Sequence, residues 1–229
     1  MPGCKVKICG VKREEDVEMV AQSGADYLGL LVDMPSPRTL DKERAAHLMK
    51  LSQIPVILLF FDKPAGQVIA IANELRPHGI QLQGRESCDD VSRIRAGISC
   101  EIWKGLHLPE KGTAEVQVQE IISAMNEYQI AGADKILLDT MVKRAAGEQR
   151  GGTGKTFDWR VAAEIASLYP GPIVLAGGLT PDNVSEAIDI VHPAVVDLAS
   201  GVESAPGVKD PARVAAFMRE VRKADLFYE

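Results

Sequence analysis

The 229-residue chain has few cysteines and no paired ones. Cys4, Cys9, Cys88 and Cys100 form no C-x-x-C motif, and none lies near a histidine at zinc-ligand spacing. The four histidines (His47, His78, His107, His192) are scattered, so no metal site is expected. Runs of positive charge are also missing. No Lys/Arg run exceeds two residues and the net charge is -6, which argues against nucleic-acid and membrane-surface partners. No apolar run approaches membrane-spanning length, and no apolar signal region opens the chain. A reducing cytoplasm is the expected setting. No Pro/Ser-rich linker or low-complexity segment divides residues 1–229, so one domain is expected, and 46% hydrophobic content suffices for its core.

What the chain does have is strict alternation of strand-like and helix-like segments. Strands are expected at Lys5–Cys9, Tyr27–Leu31, Pro55–Phe61, Gly79–Leu82, Glu101–Leu106, Lys135–Asp139, Pro172–Ala176 and Ala194–Leu198. Helices follow each: one opens at Val11 and stops at Ser23–Gly24, one is capped by Asp41 and runs to Leu51, and one spans Ala65–Leu75. Others start near Ser87 or Asp89, span Ala114–Tyr128, start at Asp158, and start at a Thr180 N-cap with Pro181 in the first turn. The last carries Val214, Phe217, Met218 and Val221 at helical spacing. Asp33–Arg38 and Thr140–Thr156 are expected as loops. Eight such units in this length fit a single-domain (β/α)8 TIM barrel better than a doubly wound sheet. Ser23–Leu28 and Ala131–Ile136 form a short internal echo of the kind a two-half barrel would show.

In a barrel the chemistry collects at the carboxyl ends of strands. Those positions hold Cys9, Arg38, Gln83, Asp139, Gly177–Gly178, Asp197 and Ala199–Ser200–Gly201. Cys9 serves either as a small buried hydrophobe or as a base, if its thiolate fraction is increased. Asp139 ends an apolar run, where desolvation raises a carboxyl pKa and suits a general acid; the position also suits a loop-capping aspartate. Arg38 can pair with a substrate carboxylate. Gly177, Gly178, Ser200 and Gly201 follow the last two strands, the usual place for a phosphate in this fold. Gly151–Thr156 fails the nucleotide-binding Walker pattern, because Gln149 stands where its first glycine belongs. It reads instead as an active-site loop whose Gly152, Thr153 and Gly154 join the phosphate site.

Several stretches together resemble the phosphoribosylanthranilate isomerase family. They are Lys7–Ile8–Cys9–Gly10, Ser36–Pro37–Arg38, Gln81–Leu82–Gln83–Gly84, Leu138–Asp139–Thr140, Gly152–Trp159, Gly177–Gly178–Leu179 with Asn183, and Asp197–Glu203. The resemblance runs from about Lys5 to Lys209 with the motifs in order. It implies an Amadori rearrangement of N-(5-phosphoribosyl)anthranilate in tryptophan biosynthesis, without cofactor or metal. Asp139 is then the general acid and Cys9 the general base. Arg38 holds the anthranilate carboxylate, Gln83 and Asp197 lie beside the substrate, and the glycine turns with Ser200 bind phosphate. The chain departs from the family at Gln83, usually His, at Ala199, usually Ser, and at Val32–Pro35, which carries the extra charge of Asp33. These departures keep open the same chemistry on another phosphoribosyl amine, and a non-catalytic sugar-phosphate-binding barrel. A monomer and a homodimer are equally compatible with the sequence.

Overall fold

The main strands are buried on both faces, a requirement met by a parallel sheet closed on itself and sheathed by helices. The computed structural model describes residues 3–144, 147–150 and 155–225. β1 (Lys5–Cys9) leads through α1 (Glu14–Gln22), β2 (Tyr27–Val32) and the short β3 (Thr39–Leu40) to α2 (Lys42–Leu51). Then come β4 (Val56–Phe60), α3 (Ala65–Leu75), β5 (Gly79–Leu82), α4 (Cys88–Gly97), β6 (Glu101–Pro109) and α5 (Val118–Ile130). β7 (Lys135–Arg144), β8 (Gly147–Arg150), α6 (Trp159–Leu168), β9 (Ile173–Leu175), α7 (Val184–Val191) and β10 (Val195–Leu198) follow. A 3-10 turn at Ser200–Val202, β11 (Glu203–Ala205), β12 (Val208–Lys209) and α8 (Pro211–Asp225) complete the order.

Among the described residues, eight strands pair in parallel in the order β1-β2-β4-β5-β6-β7-β9-β10, and β10 pairs back to β1. This is the TIM barrel expected from the alternation. Strand alternation gives it two cores. Val6, Ile8, Leu28, Leu58, Phe60 and Ile80 point outward against the helices. Cys9, Leu31, Ile57, Trp103, Leu137 and Val174 point inward. Asp41, Ser87 and Asp158 cap α2, α4 and α6 through their side chains, and Ser87 forms a reciprocal capping box with Asp90.

Four expectations need correction. The first helix starts at Glu14 rather than at Val11, and α5 spans Val118–Ile130 rather than Ala114–Tyr128. The Thr140–Thr156 loop is partly strand: β7 continues to Arg144 and pairs antiparallel with β8. An apolar run marks a strand only where burial imposes one, and residues 141–150 carry no such run. Helix α7 starts at Val184 rather than at Thr180–Pro181. Asn183 Oδ1 accepts from Thr180 N at 2.8 Å and its Nδ2 donates to Gly178 O at 3.1 Å, which fastens the preceding turn. The small antiparallel β11–β12 pair follows the turn at Ser200–Val202.

Candidate active site

The sequence places one acid, one thiol and one amide at strand ends, and closure of the barrel turns them onto a shared cavity of about 470 Å³. Cys9, Arg38, Gln83, Asp139, Gly177, Gly178, Asp197 and Ser200 all line it. Gly201 does not. It lines an adjoining depression with Gly178, Ser200 and Arg213. Gly152, Thr153 and Gly154 lie outside the described residues. Gly178 has φ +68°, and a Cβ there would meet the Lys155 carbonyl group at 2.6 Å. Only glycine lets this turn approach so closely.

Asp139 follows Leu138 at the inner end of the covered part of β7 and is 7% exposed. Burial pushes its carboxyl group up to about 7, with nearby Asp197 adding to the rise. The Thr140 backbone N–H at 2.7 Å, Lys7 and the Gln83 Nε2 donor at 2.9 Å pull the other way. A carboxyl group so balanced exchanges its proton near neutral pH. Cys9 stands on β1 with Asp197 and Lys7 near it. Burial pushes its thiol up, so the increased thiolate fraction considered from sequence is not met here. Lys7 and Lys209 oppose that rise and are the charges able to stabilise a thiolate.

Arg38 lines the cavity, but its fork is turned to Glu203. Nε donates to Oε1 at 2.9 Å and Oε2 at 3.1 Å, and Nη2 donates to Oε2 at 2.7 Å. Asp197 is tied by Oδ2 to Lys7 Nζ at 2.8 Å, whereas its buried Oδ1 has no hydrogen-bond partner among the described residues. The extra charge of Asp33 is not in the cavity wall. Met34 and Pro35 line it, while Asp33 is exposed and meets Lys63 Nζ at 3.4 Å.

Reading strand ends alone missed Lys7, Gln81, Glu203 and Lys209. The signal for the first two was present: Lys7 shares the inward face with Cys9, and Gln81 with Gln83, at the two-residue period of a strand. No such local period ties Glu203 to Arg38.

The model of the N-(5'phosphoribosyl)anthranilate (PRA) isomerase family matches residues 6–220. The chain is 41% identical over 224 residues to the N-(5'-phosphoribosyl)anthranilate isomerase of Geotalea uraniireducens, covering 95% of this chain and 98% of that one. A Thermotoga maritima structure, titled as monomers of a dimeric phosphoribosylanthranilate isomerase, superposes with a TM-score of 0.79 at 28% identity, covering 96% and 99% of the two chains. A phosphoribosyl anthranilate isomerase solved with reduced 1-(o-carboxyphenylamino)-1-deoxyribulose 5-phosphate superposes at 0.78 with 26% identity and the same coverage.

Proposed function

The chain belongs to the N-(5'-phosphoribosyl)anthranilate isomerase family, and from that premise we propose that it carries out an Amadori rearrangement in tryptophan biosynthesis. The substrate is N-(5-phosphoribosyl)anthranilate and the product 1-(2-carboxyphenylamino)-1-deoxyribulose 5-phosphate. The observation that carries the reading is that Cys9 and Asp139 face one cavity, with Asp139 pushed up to about 7.

Asp139 gives its proton to the furanose ring oxygen. The C1–O bond breaks as the anilino nitrogen lone pair forms the Schiff base. Cys9 then takes the C2 proton, and the freed electron pair moves into the protonated imine to give the enolamine. The enolamine then tautomerises: C1 takes up a proton and the C2 hydroxyl gives one up, leaving the ketone at C2. The imine is the electron sink, so the scheme draws on no cofactor. Arg38 pairs with the anthranilate carboxylate, and Gln83 and Asp197 stand beside the sugar. Gly177, Gly178, Ser200 and Gly201, with Gly152, Thr153 and Gly154, hold the phosphate.

A steady-state assay with substrate generated in situ, following loss of anthranilate-type fluorescence, tests this. Turnover that disappears in Cys9→Ala supports the substrate and the base together. A folded protein without turnover removes the reading. Gln83 in the cavity wall favours one second reading, the same rearrangement on a different phosphoribosyl amine. A screen of such amines separates the two. A merely binding barrel has no use for the Cys9–Asp139 pair.

A further inference from the structure

Lys7 is fully buried inside the barrel, one inward position deeper than Cys9 and not in the cavity wall. Lysine is rarely buried without partners; here the Nζ has polar partners and also lies over the Trp103 ring, 5.8 Å from its centroid. Its Nζ donates to Asp197 Oδ2 at 2.8 Å and to Gln81 Oε1 at 2.9 Å. Gln81 Nε2 donates to Gln83 Oε1 at 2.7 Å. Gln83 Nε2 donates to Asp139 Oδ2 at 2.9 Å and meets His107 Nε2 at 3.1 Å. The chain of bonds thus crosses the barrel from β1 through Gln81 of β5 and Gln83 just past its end to β6 and β7. Gly29 leaves room for its origin: a Cβ there would stand 3.1 Å from Lys7 Cε and 2.8 Å from Cys9 Sγ.

The direction of this chain is dictated by its first member. An ammonium group has three donors and no acceptor, so only the oxygen end of Gln81 can face it. The NH2 end of Gln81 then faces Gln83, and only the oxygen of Gln83 can meet it. The two N–H bonds of Gln83 are left for Asp139 and His107, whose Nε2 is therefore the acceptor. We infer that Lys7 and Gln81 are positioning residues for Asp139, because they decide which end of the Gln83 amide faces its carboxyl group. The mechanistic meaning of this rests on the isomerase reading; the geometry does not.

A donor facing Asp139 favours its charged form, and a carbonyl in the same place would favour the protonated form. The charged groups around Asp139 are Lys7 from β1 and Asp197 from β10, with His107 of β6 sharing the Gln83 donor. Gln81→Glu tests the chain. It keeps an acceptor for Lys7 but offers Gln83 only oxygens, so Gln83 turns its NH2 group toward position 81 and its carbonyl toward Asp139.

The readout is the carboxyl carbon-13 NMR titration of the full chain, with the Asp139 signal assigned by its loss in Asp139→Asn. The midpoint in Gln81→Glu is expected to rise by about one pH unit, a tenfold change in proton affinity. With Gln83→Met also present, the rise should fall below about a third of that, since the transmitting amide is gone. An equal rise in both backgrounds makes the effect one of through-space charge and overturns the inference, as does no rise in either. If Gln81→Glu fails to fold, Gln81→Met carries the test without added charge. It should shift Asp139 only while Gln83 is present, and a shift independent of Gln83, or none, overturns the inference. Because the titration needs no turnover, a shifted midpoint in a protein inactive on phosphoribosylanthranilate removes the functional reading and leaves the positioning role standing.

Discussion

Arg38 and Glu203 are 165 residues apart and meet in a three-bond ion pair, their side chains 12% and 4% exposed. Glu203 Oε1 also accepts from Lys209 Nζ at 2.8 Å, and Lys209 Nζ donates to the carbonyl oxygens of Cys9 at 2.6 Å and Ala199 at 3.0 Å. Burial alone would raise the Glu203 carboxyl group, but Arg38 and Lys209 outweigh it and hold it below the usual carboxylate range. The small β11–β12 pair carries both Glu203 and Lys209, and so fastens the Arg38 loop to the ends of β1 and β10. Glu203→Gln should raise KM for the carboxylate-bearing substrate about tenfold, the scale of one charge-assisted hydrogen bond of about 1.5–3 kcal/mol. Its kcat should change by less than about threefold, because the proposed acid and base are untouched. Steady-state kinetics check this. A fall in kcat with KM unchanged would show that Glu203 does not act through Arg38.

Cys9→Ala and Asp139→Asn should each lower kcat by about 10²–10⁴-fold, the usual contribution of a positioned acid or base. Affinity for a reduced product analogue should change little, since neither substitution touches the phosphate turns. Calorimetric titration alongside the assay separates the two effects. Wild-type turnover in either variant would remove that residue from the mechanism.

The pH dependence follows from Asp139, whose protonated form is the proposed acid. Turnover limited by that proton should fall as pH rises through about 7. Stability carries the same sign. The folded state holds this proton more tightly than the unfolded chain, so the contribution is complete below the ordinary aspartate pKa and is lost as pH rises toward about 7. Urea unfolding at several pH values between these limits should therefore show a downward trend for the wild type relative to Asp139→Asn. Parallel pH curves for the two proteins would contradict the raised pKa.

The strand ends were legible because barrel geometry ties position to role: Cys9, Gln83, Asp139 and Asp197 come together by topology alone. The inward residues one step deeper were harder to see. A lysine at position 7 reads as the polar side of a half-exposed strand, and only ring closure shows that both faces are covered. The link of Glu203 to Arg38 and of Lys209 to Cys9 is beyond any local pattern, since those partners lie at the other end of the chain. The β7–β8 ribbon was read as loop because its residues lack the apolar alternation that burial imposes. The Asp33 departure suggested charge beside the substrate, yet backbone direction in that loop turns the side chain out toward Lys63.

Lys104 holds the far side of the site from behind. It is 1% exposed on the outward face of β6, and its Nζ donates to the carbonyl oxygens of Gly84 and Gly105, each at 2.9 Å, and pairs with Glu86 Oε2 at 3.0 Å. Glu86 Oε1 in turn accepts from the backbone N–H groups of Asp62 at 3.0 Å and Gly84 at 3.1 Å. The pair thus fastens the turn that immediately follows Gln83. Lys104→Met leaves a buried carboxylate and the carbonyls of Leu82, Gly84 and Gly105 without their cation, and should cost about 3–5 kcal/mol of unfolding free energy. Glu86→Gln combined with Lys104→Met removes both charges, and should cost clearly less than the two single substitutions added together. Urea denaturation of the four proteins closes this cycle. Additive losses would mean that Lys104 acts through the backbone carbonyls alone and that Glu86 is not its electrostatic partner.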